Sequence, residues 1–196
     1  GLWSGLGHYS RARNLHRAAQ AVVADHGGRF PSTAQALQAL PGVGRSTAAA
    51  IAAFCFGERA AILDGNVKRV LARAFAFGGD LARAPEVERL WALADSLLPP
   101  NGIESYTQGL MDLGSAVCLT RKPRCDDCPL AGTCQALKAG QPEAYPVKLR
   151  KTRRGTRFNI WAWLTHGQQV WLVKRPDKGV WASLWSLPEF DTADDA

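Results

Sequence analysis

The chain has 196 residues, is 46% hydrophobic and carries a net charge of +7. This composition excludes a disordered or fibrous chain, and no apolar run reaches the roughly 20 residues that span a bilayer. The basic balance fits an anionic partner such as nucleic acid, and equally a basic enzyme without one. Neither Gly1-Leu2-Trp3 nor the end at Asp191 to Ala196 resembles a natural terminus, and no signal-peptide pattern is present. A segment of a longer, cytosolic protein is the expectation.

In chain order, Leu15, Ala18, Ala19, Val22 and Val23 share one stripe of a helix over residues 13–25, which Gly27-Gly28 ends. Ser32 or Thr33 then offers an N-cap for a short helix with Ala34, Leu37 and Leu40 on its face. Pro41-Gly42-Val43-Gly44 forces a turn, its glycines permitting positive φ and close backbone approach. An Ala-rich helix over residues 47–56 follows, with Ile51, Phe54 and Cys55 available for packing; Cys55 is expected to be a small buried hydrophobe. Ala61-Ile62-Leu63 leads into Asp64, and a helix from Asn66 presents Val67, Val70, Leu71 and Ala74. Pro85 opens another helix, with Val87, Leu90, Trp91, Ala94 and Leu97 at helical spacing, stopped by Pro99-Pro100. Residues 106–117 predict one more, running into Cys118.

The character changes after Pro146. Lys148, Arg150, Lys151, Arg153, Arg154 and Arg157 form a run without an acid, read as a linker over 146–157. Phe158, Ile160, Ala162 and Leu164 then alternate with Asn159, Trp161 and Trp163, a strand pattern. Gly167 marks a turn, Val170 to Val173 a second strand, and Pro176 to Gly179 another turn. This tail is too short for a complete sheet domain.

Three features carry chemistry. Cys118, Cys125, Cys128 and Cys134 hold four of the five cysteines in a C-x6-C-x2-C-x5-C spacing. Such a set ligates zinc or an iron–sulfur cluster, and its single C-x2-C pair suits the cluster better. The Leu40-Pro41-Gly42-Val43-Gly44 turn exposes backbone amides at a helix N-terminus, an anion site suited to a DNA phosphate, although plain helix connections also use Pro-Gly. Asp64, eighteen residues beyond Ser46, fits an N-cap and also a catalytic carboxylate fixed by that cap.

Together, these motifs resemble the endonuclease III superfamily of helix-hairpin-helix DNA glycosylases, and within it the MutY-type adenine DNA glycosylases. The resemblance covers residues 1 to about 137. It rests on Trp3-Ser4-Gly5-Leu6-Gly7, Tyr9 to Leu15, Leu40 to Ala48, Leu63 to Val70, Met111-Asp112-Leu113-Gly114 and the cysteine loop. It implies a mainly α, helix-hairpin-helix glycosylase domain over 1–145 with an iron–sulfur loop at 118–134. The linker and the start of a small α+β, Nudix-like domain for 8-oxoguanine recognition, over 158–196, would follow. That tail lacks a nucleotide-hydrolysing Nudix box.

The resemblance further implies base excision by a monomer acting on double-stranded DNA with adenine opposite 8-oxoguanine or guanine. A bacterial cytoplasmic, nucleoid-associated setting and no membrane are implied as well. The adenine is flipped out and its N-glycosidic bond hydrolysed. Asp64 would stabilise the oxocarbenium-like state and Asn66 would orient Asp64 or a water. Gln108 would contact the adenine. Gly42, Val43, Gly44, Arg45 and Ser46 would hold the phosphate backbone, joined by Arg121 and Lys122 of the cysteine loop. His8 and Tyr9 stand where the family has two tyrosines, the first a wedge beside 8-oxoguanine. Cys118, Cys125, Cys128 and Cys134 would hold a 4Fe-4S cluster. Ser46 replaces the lysine of strand-cleaving relatives, which implies base removal alone. The family's catalytic glutamate falls upstream of Gly1, so this chain by itself is expected to be inactive, and a non-catalytic lesion-binding protein is the alternative.

Overall fold

The computed structural model describes Trp3, residues 9–147, Leu149 and residues 158–191. It divides into two units, Asn14–Lys151 and a second made of Gly1–Arg13 with Thr152–Ala196. Among the described residues no helix is long and apolar enough to cross a membrane.

Helix α1 (Tyr9–His26) buries Ala18 and Val22. Leu15, Ala19 and Val23 of the predicted stripe are exposed. The helix meets its neighbours through Ala18, Ala21 and Val22, a face shifted from the predicted stripe. Thr33, rather than Ser32, caps α2 (Ala34–Leu37) by accepting from the Ala36 N–H at 3.2 Å. The turn after it is closed by Val43 N–H to Leu40 O at 3.1 Å, with Gly42 at φ +78°. A β-carbon at Gly42 would also overlap the Asn14 side chain, so backbone conformation and close packing both call for glycine.

Helix α3 (Arg45–Phe56) joins two cores. Ala48 and Ala52 pack with Ala18, Val22, Leu37 and Leu40. Ala49 and Ala53, one residue along, pack into the larger core with Ile62, Leu63, Val67, Leu71, Leu90 and Trp91. Two i,i+4 pairs offset by one residue face adjacent sides of a helix. Their one-carbon side chains let elements close in on both. The last turn, Phe54-Cys55-Phe56, extends past these contacts. Cys55 is therefore exposed, contrary to the expectation of a buried hydrophobe.

Helix α4 (Gly65–Ala74) buries Val67, Val70 and Leu71 as its periodicity predicts, and also Arg73. Helix α5 (Ala84–Ser96), with Pro85 in its first turn, buries Leu90, Trp91 and Ala94. Full burial of a side chain such as Leu90 is worth about 1.5–3 kcal/mol.

Residues 106–117 do not form the uninterrupted helix that their sequence predicts. Helix α6 runs Ile103–Asp112, and a π-helical turn follows over Leu113–Val117, closed by Cys118 N–H to Leu113 O at 2.7 Å. This turn seats Gly114 on α4. A β-carbon at Gly114 would lie 2.6 Å from Asn66 Cβ and 3.2 Å from the Asn66 backbone. Gly114→Ala is expected to destabilise the fold by about 1–3 kcal/mol in urea denaturation. Gly109→Ala, in α6 with open space around it, should stabilise by up to about 1 kcal/mol. Helix α7 (Gln135–Lys138) follows the cysteine loop.

The tail holds three separate antiparallel pairs rather than one sheet. β1 (Ile160–Trp161) pairs with β6 (Glu189–Phe190), β2 (Thr165–His166) with β3 (Gln169–Val170), and β4 (Val173–Lys174) with β5 (Trp185–Ser186). The strand predicted from Phe158 to Leu164 is thus interrupted. Of its alternating apolar residues only Ala162 is half-buried, while Phe158 is 84% exposed and Leu164 43%. Alternation forms a long strand only where a second layer covers one face, and none covers it among the described residues. Arg175 links several parts of the tail, its guanidinium lying 5.8 Å and 5.7 Å from the Trp161 and Trp181 ring centroids and ion-paired with Glu189.

Candidate functional site

The turn and Asp64 are brought together by one serine. Gly44 is the N-cap of α3 and no side chain caps that helix end, so the first-turn amides are left for another acceptor. Ser46, in this first turn, accepts the Leu63 N–H on Oγ at 3.0 Å. Leu63 is 2% exposed and directly precedes Asp64. Asp64 caps α4, its Oδ1 accepting the Val67 N–H at 2.8 Å. No described residue donates to its Oδ2. The carboxylate is half-buried, held by a cap worth about 1 kcal/mol, with one oxygen engaged and one open. Such a group can face a developing cation without first having to reorganise.

Arg45 turns away from the open amides. Its guanidinium lies 3.9 Å from the Trp91 ring centroid and pairs with Glu88 at 3.1 Å and Asp95 at 3.4 Å. Asn66 Oδ1 accepts from Arg69 Nη2 at 2.9 Å rather than engaging Asp64. Gln108 is exposed on α6, its Nε2 donating to Asp112 Oδ1 at 2.8 Å. Tyr9 opens α1 and is half-buried. His8 lies outside the described residues, as does the basic run apart from Leu149. Arg121 and Lys122 are exposed on the cysteine loop, and the Lys122 N–H donates to Glu143 Oε1 at 2.9 Å.

The cysteine loop is bound to α4 by two arginines. Arg69 donates from Nε to Cys118 O at 2.7 Å and from Nη2 to Gly114 O at 2.5 Å. Arg73, 2% exposed, reaches four acceptors: Tyr145 O at 3.1 Å, Leu119 O at 2.6 Å, Thr120 O at 3.0 Å and Cys118 Sγ at 3.4 Å. Sequence reasoning missed both roles. The two arginines sit one turn apart on a helix that also carries Asn66 and Lys68, and their loop partners lie 45 or more residues away in sequence, so no local pattern marks them.

Cys118, Cys125, Cys128 and Cys134 all line one cavity with Arg73, Val117 and Pro123. Among the described residues no three metal-binding side chains close on a single ion. The Cys125 thiol is pushed up from its ordinary pKa by burial and by the other three thiolates, while Arg73 pulls it back. Four thiol side chains around one shared cavity are donors of the kind that hold a metal centre.

The helix-hairpin-helix motif family matches residues 25–54, which take in α2, the glycine turn and most of α3. The solved structures that align with the chain include these two. One is a thermostable thymine-DNA glycosylase (TM-score 0.57, 34% identity, 66% of this chain and 59% of that one). The other is a non-covalent endonuclease III–DNA complex (TM-score 0.56, 26% identity, 67% and 59%). The fold is therefore mainly helical, a helix-hairpin-helix glycosylase fold of the endonuclease III type. The particular relatives are narrower: the adenine DNA glycosylase of Buchnera aphidicola subsp. Acyrthosiphon pisum (strain APS) is 35% identical over 195 residues, 100% of this chain and 56% of that protein. The chain is a homologue of the adenine DNA glycosylases, and it spans about half the length of the curated relatives it matches.

Proposed function

We propose that the protein carrying this chain excises adenine from DNA in which it is mispaired with 8-oxoguanine or guanine. The observation that carries this reading is Asp64, capped through Oδ1 and open at Oδ2, tied through Leu63 to a helix-hairpin-helix turn with uncapped amides.

The open amides of α3 take a backbone phosphate, an anion at a helix N-terminus. The turn thereby fixes the duplex, and the adenine nucleotide is drawn out of the stack. As the bond from C1′ to the base breaks, positive charge grows on the sugar. The open oxygen of Asp64 stabilises it, as carboxylates do in sugar hydrolysis. The base takes up a proton as it departs, and the water that adds to C1′ releases one, so the step is a net hydrolysis. Asn66 acts beside Asp64, its carbonyl already turned by Arg69. Gln108 meets the adenine by exchanging its bond to Asp112, and His8 and Tyr9 face the opposite base. Arg121 and Lys122 contact the backbone, a term that weakens with salt. Cys118, Cys125, Cys128 and Cys134 hold a 4Fe-4S cluster, which supplies a rigid cross-link for this loop. The tail, as the start of a Nudix-like domain, adds recognition of 8-oxoguanine.

Ser46 offers no amine where a Schiff-base lysine would act. The test is single-turnover release of adenine by the full-length protein from duplexes holding adenine opposite 8-oxoguanine, guanine or thymine. The expected result is release from the first two, with intact strands and no borohydride-trapped adduct. Tight binding to the mispair without release would replace this reading with that of a lesion-binding protein.

A further inference from the structure

Resting on that reading of Asp64, we propose that Ser46 is a positioning residue whose side-chain hydroxyl sets the direction of the Asp64 carboxylate. The segment from Gly57 to Asp64 is irregular and provides no ladder partner for the Leu63 amide. That amide is buried with Leu63, and Ser46 Oγ is the acceptor it finds, at 3.0 Å. A buried amide without an acceptor costs about 1–3 kcal/mol. Without the hydroxyl, the Ile62-Leu63 peptide would therefore turn to find another partner. Asp64 is the next residue, so that turn carries its Cα and carboxylate with it.

Asp64 is thus fixed from both directions, its carboxylate ahead by the Val67 amide of α4 and its preceding peptide behind by the serine of α3. Ser46 also lies in the helix turn whose amides are uncapped. Its side chain therefore joins the phosphate-binding end of α3 to the acid. The Oγ acceptor is what matters, because an acceptor alone is needed to hold an N–H. Threonine keeps it and alanine does not.

The test uses the full-length protein and its Ser46→Ala and Ser46→Thr variants with three readouts. These are the single-turnover rate of adenine release, the affinity for a duplex bearing a non-hydrolysable adenosine analogue, and amide hydrogen exchange at Leu63 and Val67. Ser46→Ala is expected to slow release by roughly 10–100-fold, the effect of an ångström-scale misplacement. Affinity should stay within about twofold of the parent protein because the α3 amides remain in place. Exchange should accelerate at both Leu63 and Val67. Ser46→Thr should restore exchange fully and the rate to within about threefold, since only the hydroxyl oxygen is required. Unchanged rate and exchange in Ser46→Ala would overturn the proposal, as would an equal loss of rate and affinity. If the parent protein releases no adenine, the activity reading fails by itself, and exchange decides the positioning role. Acceleration at Leu63 without any at Val67 would show that the serine does not reach the Asp64 cap.

Discussion

Asp64→Asn is expected to lower the single-turnover rate of adenine release by about 10²–10³-fold or more, the scale for losing one preorganised electrostatic partner of a transition state. Folding stability should change by less than about 0.5 kcal/mol, because Asn and Asp cap helices almost equally well. The two halves of this expectation separate the roles of one side chain. Oδ1 accepts the Val67 N–H at 2.8 Å, and an amide oxygen can do the same. The other oxygen must carry negative charge to oppose a cation, and an amide nitrogen in its place carries none. Asp64→Ala loses both roles and should cost about 0.5–2 kcal/mol in addition to the rate. Rapid-quench kinetics and urea denaturation on the same three proteins measure the pair of effects. An Asn variant within threefold of the parent rate would make Asp64 a cap and nothing more.

How much of this site could be read from sequence differs from residue to residue. The α2–α3 turn was legible because Pro and Gly act locally. Gly42 at φ +78° and the Val43-to-Leu40 bond need no distant partner. The Asp64 cap was legible for the same reason, being an acid before a helix with its acceptor three residues ahead of the amide it holds. Helix α5 followed from periodicity and one proline. The contacts that organise the site across elements were not legible. Nothing local distinguishes Arg73, buried among carbonyls 46 and 47 residues away, from Arg45, exposed and paired with two carboxylates. The break at Leu113 arises where Gly114 meets Asn66, an encounter that a helical pattern over 106–117 does not contain. Cys55 was misjudged because helical phase gives a face but not where the packing partner ends. The tail's alternation was real, yet a strand's length depends on what lies beside it.

Arg73→Met is expected to cost on the order of 4 kcal/mol of folding stability. The half-buried Leu119 and Tyr145 carbonyls would lose their donor, at about 1–3 kcal/mol for each, while the exposed Thr120 carbonyl passes to water. Methionine fills much of the volume, so the loss reports the hydrogen bonds rather than a cavity. Arg73→Lys should recover less than half, because one ammonium on a flexible stem cannot reproduce a planar fork that spans carbonyls on both sides of the loop. The loss should be local at first. Amide exchange should rise across residues 118–125 and at Tyr145 before it rises at Val67, since Asp64 and the α4 core do not depend on the guanidinium. Arg45→Ala is the informative contrast. Its guanidinium touches two carboxylates and a tryptophan ring, a longer roster of charged and aromatic contacts than Arg73 has. Yet its side chain is 43% exposed, water can replace its partners, and the expected cost is under about 1 kcal/mol. Equal urea midpoints for Arg73→Met and Arg45→Ala would mean that the buried arginine does not hold the cysteine loop to α4.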